Sequence, residues 1–341
     1  MVRGPRGGGW RTAAWPAACA AALAAGGCPR DAAREAAADG EPDLAGAAAA
    51  TAAAGDVGAP APTTGTRVVL LGTGTPRPDP LRSGPCTAVL AGGTAYLFDA
   101  GPGVVRRASA AYLEGQRELE PRGLARVFLT HLHSDHTLGL PDLIFSPWTL
   151  GRHVPLEAWG PPGLRAMVDR LLEAWAEDIR VRVEGPERDD PAGVRVVVRE
   201  LQPGEEVRTG VLRVVPFAVR HGDWPAYGYR IEAPDRTIVV SGDTTATDAV
   251  VRACAGCDVL VHEAYAVRGF SELPPDHRAY HGSFHTSTTD LARLAAEARP
   301  GLLVLTHQLW WPTSGGVDVL LEEVRRGWDG PVANGRDLGV Y

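Results

Sequence analysis

The chain has no lysine: all 34 basic side chains are arginine, against 41 acidic ones, for a formal net charge of -7. That balance excludes a global electrostatic attraction to nucleic acid, because neutralising phosphates takes surplus cations. Long apolar runs are missing too. The stretch over residues 12–25 is shorter than the roughly 20 residues that cross a bilayer as a helix, which excludes an ordinary membrane span. Cysteine is scarce, with five in the chain. Cys254-Ala-Gly-Cys257 is a lone C-x-x-C, and the second pair that would make a zinc knuckle is absent. That pair reads as structural, with a local disulfide left open. No internal repeat of about 20–50 residues is visible, so solenoids and propellers are excluded. What remains is 341 residues with 45% apolar content. That is enough for a sizeable core, in one large domain or two small ones.

The N-terminus is a separate object. Arg3, Arg6 and Arg11 precede the short apolar stretch, which closes on small residues before Cys28. A charged region, a short apolar region and small residues describe an export signal. Leu23-Ala-Ala-Gly-Gly-Cys28 resembles a bacterial lipobox, with Cys28 as the lipid anchor. Residues 1–28 are therefore read as a signal peptide, and Cys19 would leave with it. Residues 29–65, rich in Ala, Gly, Pro, Asp and Thr, cannot bury enough surface to order themselves and read as a disordered linker. Residues 66–341 are the folded part. The protein is expected to be exported, periplasmic or membrane-anchored. The alternative is a cytoplasmic protein with an Ala-rich leader.

Within the folded part, residues 131–136 read His-Leu-His-Ser-Asp-His, directly after the apolar run 125–130. Three imidazoles and a carboxylate in six positions are ligands for a borderline-soft divalent metal. His131 and His133, two apart on an extended segment, point to the same side. Asp135 and His136 follow round the turn, where they can serve a second metal.

Short apolar runs surround this cluster. Strands are predicted over 67–71, 86–91, 95–98, 127–129, 194–201, 211–219, 226–231, 237–240, 259–261 and 302–305, bounded by Gly and Pro turns. Helices are predicted over 104–114, 163–178, 289–299 and 317–326, with Thr286 or Thr288 near the cap of the third. The strands fall into two groups, each followed by helices. That suits an α/β fold of two sheets between helical layers.

More metal-type residues sit at strand ends. His221 ends the strand 214–220. Asp243 follows 238–240 in Ser241-Gly242-Asp243-Thr244. His262 ends 259–261, and His307 ends 302–305. One such residue is usually a satisfied buried group, but this many beside a dense cluster point to a metal centre. His153, His277 and His281 carry no motif and read as surface or loop residues.

These segments resemble the metallo-β-lactamase superfamily, and within it the ribonuclease Z-like hydrolases. The carriers are LGTGTP, FDAG, THLHSDH, the His221 segment RHGDWPAYGYRI, SGDT, VHEA and LTH. The tail from Phe284 to Trp311 also looks like arylsulfatase-like and phosphodiesterase members. The resemblance implies a metallo-β-lactamase αββα sandwich over residues 66–341. It implies two Zn2+, with Mn2+ or Fe2+ as alternatives. One metal would take His131, His133 and His221. The other would take Asp135, His136 and His307, with Asp243 bridging. A bridging hydroxide is the implied nucleophile. Asp135 would orient it and accept its proton, and His262 would act as general acid or as oxyanion partner for the leaving group. Asp99 in FDAG would orient a ligating imidazole, and His285 and Thr286 would line the substrate side.

Ribonuclease Z proper carries a tRNA-gripping arm between the His221-type and Asp243-type positions. Here those residues are 22 apart, room for little beyond a hairpin. The leading reading is a dinuclear zinc hydrolase of phosphodiesters. Its partner is a small-molecule ester, with nucleotides ranked above nucleic acid, and a homodimer is an open expectation. The alternative is an arylsulfatase-type sulfate ester hydrolase. A lactonase, a tRNA 3′ processing endoribonuclease and a redox di-iron protein rank lower. Trp148, Trp310 and Trp311 are candidates for an apolar rim, or for ordinary packing.

Overall fold

The structure, a computed structural model, describes residues 65–341. The expected signal peptide, Cys28 and all of the linker but Gly65 lie outside the described residues. The first half of the described chain builds a six-stranded sheet: β1 (Arg67–Gly72), β2 (Cys86–Ala91), β3 (Thr94–Phe98), β4 (Arg126–Phe128), β5 (Leu156–Gly160) and β6 (Val196–Glu200), paired in that order. Its helices are α1 (Val104–Leu113), α2 (Ser134–Thr137), α3 (Leu140–Thr149), α4 (Leu164–Ala174), α5 (Ala176–Glu184) and α6 (Pro191–Val194). The second half builds a seven-stranded sheet from β7 (Val207–Thr209), β8 (Leu212–Ala218), β9 (Tyr227–Glu232), β10 (Thr237–Val240), β11 (Val259–Tyr265), β12 (Leu302–Leu309) and β13 (Val332–Asn334). Helices α7 (Asp248–Cys254), α8 (Pro275–Phe284), α9 (Thr288–Ala298) and α10 (Asp318–Val324) accompany it.

Three apolar layers follow from side-chain alternation along the strands. In β1, Val69 and Leu71 pack under α1, α3 and α4. Val68 and Leu70 of the same strand face the other sheet. In β10, Ile238 and Val240 join that inter-sheet layer, while Val239 turns to α7 and α9. Strands buried on both faces read as continuous apolar runs, which is why they stand out in the sequence. The inter-sheet layer holds an aromatic stack. Phe128 lies 5.1 Å from Phe98 and 4.5 Å from Trp159, with Tyr229 edge-on at 5.6 Å. The Tyr229 hydroxyl donates to Leu129 O at 2.6 Å, tying the sheets together just before the histidine cluster. The order helix, sheet, sheet, helix is the expected α/β sandwich.

Several details differ from expectation. The helix predicted over 163–178 is two, α4 and α5, separated at Trp175. Helix α9 is capped by Ser287, which lies between Thr286 and Thr288 and whose side chain accepts from Asp290 N. Trp148 lies on α3, buried in the first helical layer, and its indole donates to Asp190 O at 2.8 Å. It is a packing residue, not part of a rim. Between His221 and Asp243 the chain forms only a turn, β9 and β10, so no arm projects there. Cys254 and Cys257 form a disulfide at the end of α7, and Cys86 is buried and free. Among the described residues, no helix is long and apolar enough to cross a membrane.

Candidate metal centre

The histidine cluster begins where β4 runs out. Leu129 N is still paired to Trp159 O at 2.7 Å, and Asp99 N to Phe128 O at 2.8 Å. The chain then turns into α2, with His133 in extended conformation as its N-cap. This geometry brings His131, His133, Asp135 and His136 to one side. The turn is packed closely against the FDAG segment. Ala100 N donates to His136 O at 2.9 Å. A Cβ on Gly101 would stand 2.4 Å from Gly84 C and 2.7 Å from Asp135 O, so only glycine fits.

The remaining residues come from the second sheet. His221 follows β8 and is bridged to Trp224. Asp243 follows β10 in a turn where Gly242 takes φ 61, and where a Cβ would lie 2.7 Å from Tyr227 O. His307 lies inside β12, not at its end. Glu263 of β11 pairs with Thr306 and Ala264 with Gln308, so His307 is the extra residue of a bulge. Its φ is 40. Bulges re-aim a side chain at a cost in backbone strain, and non-glycine residues at positive φ concentrate at functional sites.

Ligand-type atoms of these side chains converge within 4.8 Å of one another in two groups: His131, His133 and His221, and then Asp135, His136 and His307. Asp243 joins a third group with His131 and His136, and so stands between the two. Its carboxylate lies 3.4 Å from His136 Nε2 and 3.3 Å from His307 Nε2. His307 Nε2 is 3.2 Å from Asp135 Oδ2, and His221 Nε2 is 3.0 Å from His133 Nδ1. All but His133 are buried.

The far sides of the imidazoles fix their tautomers. His221 Nδ1 donates to Phe284 O at 2.9 Å. His136 Nδ1 donates to Asp99 Oδ2 at 2.8 Å. Thr130 Oγ1 gives its proton to Asp99, 2.9 Å away, so His131 Nδ1, at 3.0 Å, must donate to Thr130 Oγ1. With Nδ1 engaged as a donor, each of these rings turns Nε2 toward the cluster as the nitrogen left for a metal. Asp99 also accepts from Thr130 N at 2.8 Å and is the hub of this outer layer.

A divalent metal fits these residues. His131 Nε2 and His136 Nε2 are buried without a hydrogen-bond partner, an arrangement that is costly unless something satisfies them. A void of about 20 Å³ lies between Asp99, His136, Asp243, Glu263 and His307 on one side and apolar residues such as Phe98 and Val240 on the other. Burial alone would depress His136, but the Asp243 and Asp99 carboxylates outweigh it and lift its pKa well above the ordinary value. Burial would raise Asp243, but His307 and His136 hold it well below the usual carboxylate range.

The structure separates His262 from this set. Side chains alternate along β11. Leu260 and Ala264 pack into the outer helical layer, and Val261 faces the other sheet. His262 shares the face of Leu260, with Nδ1 hydrogen-bonded to Glu263 O at 2.7 Å, and it belongs to none of the converging groups. Glu263, on the opposite face, joins His285 and His307 in a further group. Its Oε1 accepts from Thr286 N at 2.9 Å and lies 3.5 Å from His285 Nδ1. Burial, and then Asp243, push the Glu263 pKa well above the ordinary carboxyl range. His285 is buried and also lies 3.9 Å from Asp243. Thr286 points inward, donating to Thr244 O at 2.6 Å, and Thr244 N donates in turn to Glu263 Oε1 at 3.2 Å. Glu263 has a sequence signal in VHEA that strand alternation would have found. His281 also belongs to this neighbourhood: its ring is 5.8 Å from that of His285.

Comparison with known proteins agrees with this architecture. Residues 94–308 match the family described as "Beta-lactamase superfamily domain". The chain is 38% identical over 254 residues to "Ribonuclease Z" of Mycobacterium sp. (strain KMS), covering 71% of this chain and 84% of that protein. It is 34% identical over 276 residues to "Ribonuclease Z" of Mycobacterium marinum (strain ATCC BAA-535 / M), covering 80% and 96%. Among solved structures, the metallo-beta-lactamase fold protein YhfI from Bacillus subtilis superposes with TM-score 0.62 at 20% identity, covering 81% of this chain and 98% of that one. Human tRNase Z, short form, gives 0.60 at 24%, with the same coverage. The match to the superfamily, and the extent of identity to the mycobacterial proteins, show that this chain belongs to the beta-lactamase superfamily as a ribonuclease Z-like protein.

Proposed function

We propose that the protein is a metal-dependent phosphodiesterase that binds two zinc ions. The observation that carries this reading is the pair of converging ligand groups with Asp243 between them. His131, His133 and His221 would hold one ion, Asp135, His136 and His307 the other, and Asp243 both. Nitrogen and oxygen donors of this kind suit zinc. When bound, such a pair supplies Lewis acidity toward a phosphoryl oxygen and lowers the pKa of water.

The chain's own residues do the rest. Asp99 and Thr130 hold the Nδ1 protons of His136 and His131, so that Nε2 is the nitrogen left for a metal. Phe284 O does the same for His221. Asp135 is placed to accept a proton within the cluster. His285, beside Glu263, replaces His262 as the group that gives a proton to the departing oxygen. His262 shares the face of β11 that carries Leu260 and Ala264 and belongs to none of the converging groups. The short turn and strands between His221 and Asp243, the net charge of -7 and the absence of lysine favour a small phosphodiester over a folded tRNA. The names of the mycobacterial relatives favour phosphodiester over sulfate ester cleavage.

The test is the rate of the purified chain on bis-(p-nitrophenyl) phosphate against p-nitrophenyl sulfate, before and after chelation. Faster, chelator-sensitive cleavage of the diester is expected. Preference for the sulfate, or a rate indifferent to chelation, would overturn the reading.

A further inference from the structure

Beside the metal centre lies a second, much larger cavity of about 560 Å³, lined by Pro76, Pro78, Arg82, His281, Trp310 and Trp311, among others. That volume is in the range that ligand pockets occupy, roughly 300–1,000 Å³. Two elements join it to the cluster. His281, on α8, lies 4.9 Å from the Trp311 ring and 5.8 Å from His285. Gln308, also in the lining, directly follows His307. A group seated in the cavity therefore sits next to the residues that would act on its phosphate.

The walls are aromatic and proline-rich, and of the two arginines in them, Arg77 and Arg82, the second is held against an aromatic ring. The Arg82 guanidinium lies over the Trp310 ring, 5.0 Å from its centroid. It is fixed there by hydrogen bonds to Thr73 Oγ1 at 3.1 Å and to Gln308 Oε1. Asp79, 3.9 Å away, is its acidic neighbour. The Trp311 indole is anchored by donation to Ala266 O at 2.7 Å and does not swing freely. A guanidinium held over an indole, together with that indole, can take a second planar group against it. Indole and proline faces take a flat ring in preference to a hydrated sugar or an alkyl chain.

We propose that this cavity seats the aromatic ring of a phosphoester substrate, a nucleobase or an aryl group, with the ester phosphorus toward His285 and His307. This deepens the phosphodiesterase reading, and rests on it for the position of the phosphate. The ring site itself is a claim about Arg82, Trp310 and the cavity. It can be measured without turnover.

Isothermal titration of the full chain with adenosine 5′-monophosphate, p-nitrophenyl phosphate, ribose 5-phosphate and inorganic phosphate tests it, in metal-loaded and chelated protein. Stacking on an aromatic platform is expected to favour the ring-bearing esters over ribose 5-phosphate by about tenfold or more. The preference is expected with and without metal, because the ring contacts do not involve it. Whichever of the two ring-bearing esters binds more tightly identifies the source of the ring. Trp310→Ala is expected to bring the ratio close to unity while leaving inorganic phosphate affinity unchanged, and Trp310→Phe to retain most of it. Arg82→Ala gives the same loss, and serves if Trp310→Ala does not fold. Equal affinity for all the sugar and aryl phosphates in the unmodified protein, or an unchanged preference in Trp310→Ala, would overturn the ring site. Ring preference without chelator-sensitive diester cleavage would instead count against the phosphodiesterase reading and leave the ring site standing.

Discussion

Asp99→Asn tests the outer layer of the metal centre with little disturbance elsewhere. Asp99 has φ 68, a left-handed conformation that asparagine also tolerates, so the exchange adds no backbone strain. The carboxylate accepts from Thr130 N, Thr130 Oγ1 and His136 Nδ1. An amide has one oxygen and one NH2 group. If the oxygen stays with Thr130 N–H, the NH2 faces His136 Nδ1 and favours the opposite tautomer, with the proton on Nε2. If the amide flips, it sets a donor against Thr130 N–H. Either way a charge-assisted bond of roughly 1.5–3 kcal/mol is lost. At about 1.4 kcal/mol per decade, 2 kcal/mol is about 30-fold. That lies within the roughly 10–100-fold that removal of such an orienting partner costs in metal affinity or activity. The assay is competition for zinc against a chromophoric chelator, with diester turnover measured alongside. Affinity within about threefold of the unmodified protein would refute the tautomer argument, since a 2 kcal/mol loss predicts a much larger change.

Other outcomes follow from the same geometry. Asp243→Ala is expected to abolish diester turnover and lower metal occupancy together, and metal analysis of the purified variant checks it. His285→Ala is expected to cut kcat by about 10²–10⁴, the usual contribution of a positioned proton donor, at unchanged metal content. His262→Ala is expected to leave kcat within a few-fold, and steady-state kinetics of both variants decide between them. Metal uptake is expected to release protons near neutral pH. His136 and His307 both have pKa values raised above the ordinary histidine value in the metal-free protein, where acidic neighbours outweigh burial. Their protons must leave before the nitrogens can bind metal. Affinity should therefore rise with pH until those raised values are passed, and calorimetry in buffers of different ionisation enthalpy reads the release. Arg152 is buried, and its guanidinium donates to Leu124 O, Leu143 O, Ile144 O and Gly193 O, with burial lowering its pKa to about 10. Arg152→Met leaves those carbonyls without a donor and is expected to destabilise by roughly 3 kcal/mol or more, read as a lower urea midpoint.

The sandwich was legible because its strands are buried on both faces. Val68–Leu71 and Ile238–Val240 divide their side chains between two apolar layers, so the sequence shows unbroken apolar runs. His131, His133, Asp135 and His136 were legible from their density, and His221 and Asp243 from their place after such runs. Less visible were elements whose pattern is weak. Helix α8 has no buried residue and so no apolar stripe, yet it carries His281 and the Phe284 carbonyl that fixes His221. Helix α3 has Pro147 inside it, which reads as a break. Strands β11 and β12 run past the points where their apolar residues stop, because Glu263, Thr306 and Gln308 continue the ladder. That continuation placed His262 on the wrong face for proton donation. It also hid the bulge that aims His307. Hydrogen-bond partners such as Thr130 Oγ1 depend on tertiary contact and leave no spacing to read.

The central claim is that this cluster is a two-metal centre for phosphodiester cleavage. Its most direct test is to return zinc to the chelated full chain in known amounts and follow the rate on bis-(p-nitrophenyl) phosphate. Activity that rises to a plateau at two equivalents per chain is the expected result. Activity that is complete without metal, or a protein that binds two equivalents and leaves the diester intact, would contradict it.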